Sequence, residues 1–173
     1  MLNARPKPGL RGFSLVELMI GISIIAILMA LAMPSFQSWI RDIQIRNAAE
    51  AITSGLQRAR AEAVARNTSV AFALGTDSSW TVSVVTPAAT IESRSSNEGS
   101  KDTTRTVLPA GATTVTFNNL GAIVANNGGS ASLTQVDLTA VGASRNLRVT
   151  IGVGGNAKMC DPSLAAGTSP RAC

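Results

Sequence analysis

The sequence has no histidine. That removes the side chain most often used as a general base and as a metal ligand, and no phosphate-cradling Gly-x-x-x-x-Gly-Lys loop stands in for it. The acidic residues are scattered without a paired constellation. The glycine-rich stretch Gly152-Val153-Gly154-Gly155 lies near a terminus and not between a strand and a helix. The residues therefore point away from an enzyme and from a metal centre, and they imply no cofactor. Cysteine is scarce as well. Cys160 and Cys173 both fall in the last 14 residues, and an even count in an exported chain favours a disulfide. Closing a loop of that length is worth roughly 3 kcal/mol in the chain-entropy picture. Aromatic residues make up only 3% of the chain, and none stands beside Arg145, Arg148, Lys158 or Arg171 in the sequence, so these offer no stacking platform for single-stranded nucleic acid.

The most telling absence is of charge. From Phe13 to Met33 the only ionisable side chain is Glu17. As a helix this run rises about 31 Å, near the thickness of a hydrocarbon core. An isolated carboxylate there costs roughly 2.5–3.5 kcal/mol on the lenient insertion scale, so it calls for a positive partner or stays protonated. Cleavage after Gly12 would create such a partner, because the new amino group on Phe13 would stand four residues before Glu17. The N-terminal Arg5, Lys7 and Arg11 have no acid beside them; without them 12 basic residues face 10 acidic ones, so the net charge of +5 says little about nucleic acid. It says more about topology, since Lys and Arg beside a membrane segment stay cytoplasmic. An ordinary secretory signal would need a small-residue cleavage site after the apolar run, where this sequence has Met33-Pro34-Ser35-Phe36.

Gly12-Phe13-Ser14-Leu15-Val16-Glu17-Leu18-Met19-Ile20 resembles the signal of type IV prepilins and pseudopilins. The resemblance implies a leader at residues 1–12, cleavage after Gly12 by a prepilin peptidase and N-methylation of Phe13. It also implies that Glu17 neutralises the amino terminus of a neighbouring subunit during assembly.

Pro34 would kink the apolar helix, and Trp39 suits a membrane interface. Beyond it, Ile45, Ala48, Ala49, Ile52, Leu56, Ala59 and Ala63 recur at spacings of three and four, forming one apolar stripe. The pairs Arg46/Glu50, Arg58/Glu62 and Glu62/Arg66 stand four apart on the other faces. Arg58, Arg60 and Arg66 could hold a phosphate, but a solvated face with internal pairs is the commoner use. One long helix is expected from about Ser14 to Arg66, ended by Asn67-Thr68. Then the period switches to two. Val70, Phe72 and Leu74 with Trp80, Val82 and Val84 predict a hairpin, as do Val115 and Phe117 with Ile123 and Val124. Residues 86–111 read as a long loop or a pair of weak edge strands, 133–138 and 147–151 as strands, and everything from Gly152 as loop closed by the cysteines. The fold class is α+β.

The stretch from Leu56 to Arg66, LQRARAEAVAR, with Lys158-Met159-Cys160-Asp161-Pro162 and Pro170-Arg171-Ala172-Cys173, resembles the GspH/FimT group of minor pilins and pseudopilins. That likeness implies a type IV pilin-like fold, a long N-terminal helix on an antiparallel, sandwich-like head. It implies this division: leader 1–12, transmembrane and filament-core helix 13–40, amphipathic helix 41–66, and periplasmic head 67–173 with the disulfide loop. The chain would wait in the inner membrane as a single-pass protein. It would then join other pilins, through an inner-membrane assembly platform, in a type IV pilus or a type II secretion pseudopilus, at its tip, priming or capping assembly. The cysteine-bounded tail leans to the pilus. Some FimT-like members are DNA receptors that use Gly-Arg-x-Arg ahead of the first tail cysteine; here that place reads Gly155-Asn156-Ala157-Lys158. Arg145, Arg148, Lys158 and Arg171 remain as candidate weak phosphate contacts.

Overall fold

A computed structural model describes residues 12–167 and 169–173. Arg5, Lys7 and Arg11 of the expected leader lie outside the described residues. One helix, α1, runs from Leu15 to Ala65, within a residue of the sequence reading at each end. The chain divides into two compact units, one ending at Phe36 and the other running from Gln37 to Cys173.

In the first unit the α1 residues from Leu15 to Phe36 carry exposed apolar side chains, and the helix continues through Pro34. α1 is long and apolar enough to cross a membrane. The two hydroxyls in this part turn inward on the helix itself: Ser23 Oγ donates to the Met19 carbonyl at 2.7 Å and Ser35 Oγ to the Ala32 carbonyl at 2.9 Å. A donor satisfied within its own segment avoids the cost of an unpaired polar group in hydrocarbon.

In the second unit α1 buries the expected stripe, Ile45, Ala48, Ala49, Ile52, Leu56, Ala59 and Ala63, together with Ala51 and Gly55. The three pairs on its other faces form, Arg46–Glu50 at 2.7 Å, Arg58–Glu62 at 3.0 Å and Arg66–Glu62 at 2.5 Å. The helix ends in a Schellman turn built on Asn67, whose φ is 50°. The Thr68 N–H returns to the Ala63 carbonyl and the Asn67 N–H to the Val64 carbonyl, each at 3.2 Å, so two of the terminal carbonyls find donors.

Nine strands follow, β1 Val70–Leu74, β2 Trp80–Val84, β3 Ala89–Arg94, β4 Thr104–Leu108, β5 Thr114–Phe117, β6 Ile123–Val124, β7 Gln135–Thr139, β8 Leu147–Ile151 and β9 Ala157–Cys160. They form a five-stranded sheet in the order β3-β2-β1-β5-β6 and a four-stranded sheet in the order β4-β7-β8-β9, with every strand pair antiparallel. The first hairpin has the register its alternation predicts, Val70 opposite Val84, Phe72 opposite Val82 and Leu74 opposite Trp80. Inward residues of both sheets, Phe72, Val82, Phe117, Val136, Leu138 and Val149 among them, join the helical stripe in one core. Burying each such side chain contributes about 1.5–3 kcal/mol.

Of the two readings of residues 86–111, the pair of edge strands is the one found: β3 closes the edge of the five-stranded sheet and β4 that of the four-stranded one. The structure corrects the sequence reading in two places. The strand expected from Leu133 starts at Gln135, because Leu133 is spent on a separate bond to the Thr114 carbonyl at 3.0 Å. The segment after Gly152 is not all loop. A turn at Gly152–Asn156 sends β9 back along β8, with Ala157 opposite Ile151 and Met159 opposite Val149.

At Gly55, α1 packs closely on the five-stranded sheet. A methyl group there would stand 2.8 Å from the Phe72 ring and 2.9 Å from the Trp80 indole. Both rings are buried and packed on each other, their centroids 5.9 Å apart and their planes tilted by 34°, so neither can swing away cheaply. Gly55→Ala gains about 1 kcal/mol of helix propensity but overpacks by roughly 1–3 kcal/mol. A net loss of about 1 kcal/mol is expected in chemical denaturation, and Gly55→Val should lose more; a stabilised Gly55→Val would contradict this packing.

Candidate assembly site

The N-terminal end of α1 is built by Ser14. Its carbonyl accepts the first helical bond from the Leu18 N–H at 3.1 Å, and its hydroxyl accepts from the Glu17 N–H at 3.2 Å. Ser14 is therefore the N-cap, and Ser14-x-x-Glu17 has capping-box spacing. This signal was present in the sequence beside the apolar run and was not used there. It places Glu17 in the first turn, where the positive end of the helix dipole favours a carboxylate. Glu17 is exposed, and among the described residues nothing pairs with its carboxylate. Phe13 is 85% exposed. A Cβ on Gly12 would meet nothing within 4 Å among the described residues, so space does not require glycine there. The described surroundings supply a solvent-facing Gly12–Phe13 bond, an acid in the first helical turn and an uncovered apolar rod behind it.

The four basic candidates do not form one patch. Arg148 on β8 is clamped by Asp137 across the sheet, Nε to Oδ1 at 2.5 Å and Nη2 to Oδ2 at 3.1 Å. That carboxylate bond holds the guanidinium above its usual range against the opposing effect of burial. Lys158 is exposed on β9 opposite Thr150, on the same outer face of the four-stranded sheet. Arg145 and Arg171 instead line a separate groove with Trp39, Asp42, Ile43 and Arg46.

That groove is organised by a bond the sequence did not reveal. Asp42 on α1 accepts from the Ser144 N–H at 2.9 Å and from the Ser144 hydroxyl, tying the β7–β8 turn to the helix across 102 residues. Burial pushes the Asp42 carboxyl up, but the Ser144 bonds and nearby Arg145 outweigh it and hold it below the usual range. Arg171 is positioned from the tail. The Cys160–Cys173 disulfide, with Cα atoms 5.0 Å apart, closes the chain, and the Asp161 N–H donates to the Arg171 carbonyl at 2.7 Å.

Two further residues were missed. Asp77, in the β1–β2 turn, accepts from the Ser79 N–H at 2.8 Å and from Ser96 Oγ at 2.6 Å, which holds its carboxyl at about 2. Through Ser96 it anchors the segment between β3 and β4. Gly155, with φ at 79°, turns β8 into β9 against the Gly121 carbonyl and the Phe117 ring.

Residues 48–155 match the family described as Type II transport protein GspH, and residues 10–33 match the prokaryotic N-terminal methylation motif. Two crystal structures of the type IV minor pilin FimU of Pseudomonas aeruginosa share the fold. One has a TM-score of 0.50 at 19% identity and covers 70% of this chain and 97% of that one. The other has a TM-score of 0.50 at 18% identity and covers 71% and 92%. No curated protein matches this chain.

Proposed function

The chain belongs to the family described as Type II transport protein GspH, and from that premise we propose that it is the precursor of a minor pilin. Its leader is cut after Gly12, Phe13 is methylated, and the apolar half of α1 then enters the core of a type IV pilus. The observation that carries this reading is the N-terminal methylation motif at residues 10–33 lying over a capped, uncovered apolar helix. A rod with this much exposed apolar surface needs lipid or other such rods around it. The head, in the periplasm, offers its surface to neighbouring subunits at the filament tip. The prepilin peptidase and the inner-membrane platform are the partners this route requires, and no catalytic role is proposed.

The second reading, a subunit of a type II secretion pseudopilus, is the role that the family's description names. Deleting the gene separates the two. The pilus reading expects loss of surface pili with exoprotein secretion intact, restored by the wild-type chain. Normal piliation with secreted proteins retained in the periplasm would give the chain to the secretion machine.

A further inference from the structure

We propose that the groove between α1 and the β7–β8 turn seats the head on an anionic phospholipid surface, through the lipid phosphate. The inference rests on the reading of α1 as an inner-membrane anchor. The apolar run ends at Met33, and Trp39 follows six residues further along α1, 57% exposed. Trp39 and Ile43 form one wall of a groove of about 270 Å³ into which Arg46, Arg145 and Arg171 also face. Indole rings settle at the headgroup level of a bilayer, and arginine forks match the oxygens of a phosphate diester.

The charge in this groove is unevenly spent. Arg46 is committed to Glu50 at 2.7 Å. Arg145 reaches Asp42 only at 4.0 Å, while that carboxylate is taken by both donors of Ser144. Arg171 makes no ion pair among the described residues; the acid that senses it, Asp161, is bonded to the Ser163 N–H and hydroxyl. Arg145 and Arg171 thus keep guanidinium donors for an anion. The turn carrying Arg145 ends in Val141, 94% exposed. Lone exposed valines are ordinary. This one belongs to the turn that the Asp42–Ser144 bond fixes to α1 three residues after Trp39. An indole and two available arginines in one groove are the combination that a headgroup layer accepts, and the exposed valine of the same turn reports whether that layer covers it.

The test uses the full chain carrying Val141→Cys, whose new thiol is the only free one because both native cysteines are bonded. The protein is reconstituted in vesicles of phosphatidylethanolamine alone or with added phosphatidylglycerol, and reaction with a membrane-impermeant maleimide is timed. The anionic lipid should slow labelling about twenty-five-fold, since each of the two arginines near an anionic surface adds about fivefold in affinity. Arg145→Gln with Arg171→Gln, or high salt on the unmutated groove, should restore the fast rate. Equal rates on both vesicles overturn the proposal. Protection by inorganic phosphate on the neutral vesicles would make this a soluble-anion site, and protection by duplex DNA there would make it a nucleic-acid site; either result also overturns it. Flotation of the same samples separates the two levels. A chain that does not float with vesicles refutes the anchor, whereas one that floats yet labels equally fast refutes only the groove.

Discussion

Glu17→Ala should leave the head as stable as wild type and remove the subunit from filaments. In the assembled core the carboxylate would face the methylated amine of a neighbouring Phe13 in low dielectric. Deleting one partner of such a pair strands the other charge and costs roughly 3–5 kcal/mol, a loss of incorporation of more than about a hundredfold. The capping geometry at Ser14 offers a local explanation for the same residue, and a control separates the two. Ser14→Ala removes the hydroxyl that accepts from the Glu17 N–H and costs about 1 kcal/mol of helix start, so incorporation should fall only a few-fold. Quantifying each variant in sheared filaments against the membrane fraction decides the matter. If Ser14→Ala abolishes incorporation as fully as Glu17→Ala, the carboxylate's role is to start the helix and not to pair between subunits.

The second large effect lies at Gly155. Its φ of 79° is left-handed, and an added Cβ would stand 2.9 Å from the Gly121 carbonyl oxygen and 3.0 Å from the Phe117 ring. Alanine there pays about 1–2 kcal/mol for the backbone and roughly 1–3 kcal/mol for overpacking. The obstacle is backbone on one side and a fully buried ring on the other. Gly155→Ala should therefore lower stability by about 2–5 kcal/mol, visible as a fall in Tm on the order of ten degrees or more. Gly154 is the internal control. Its φ is not positive and the nearest atom to its added Cβ is 3.8 Å away, so Gly154→Ala should stay within about 0.5 kcal/mol of wild type. Equal effects at the two positions would mean that the β8–β9 turn is not built as described.

What the sequence disclosed follows from the range of the interactions. The α1 stripe and the Arg–Glu pairs were legible because a helix puts residues three and four apart side by side. The β1–β2 hairpin was legible because a short turn fixes its register. The need for glycine at position 55 was not legible, because its reason is two rings supplied by the strands β1 and β2. β3 and β4 could not be read as firmly, since both segments are largely polar; β3 pairs with β2 just before it, whereas the mate of β4 is β7, far along the chain in the other sheet. β9 hid for a related cause. Of its residues only Cys160 is fully buried, and Lys158 interrupts the apolar signal. At the candidate sites, Gly12, Phe13 and Glu17 were visible because a processing signal is read as a linear string. The groove at Arg145 and Arg171 was not, because it depends on Asp42 meeting Ser144 and on the disulfide-closed tail.

The account turns on what happens at the Gly12–Phe13 bond, and the intact mass of the protein extracted from the inner membrane tests that directly. The predicted species begins at Phe13, carries one added methyl group and retains the whole apolar helix. A species that still begins at Met1, or one from which the segment through Met33 has been removed, would contradict it.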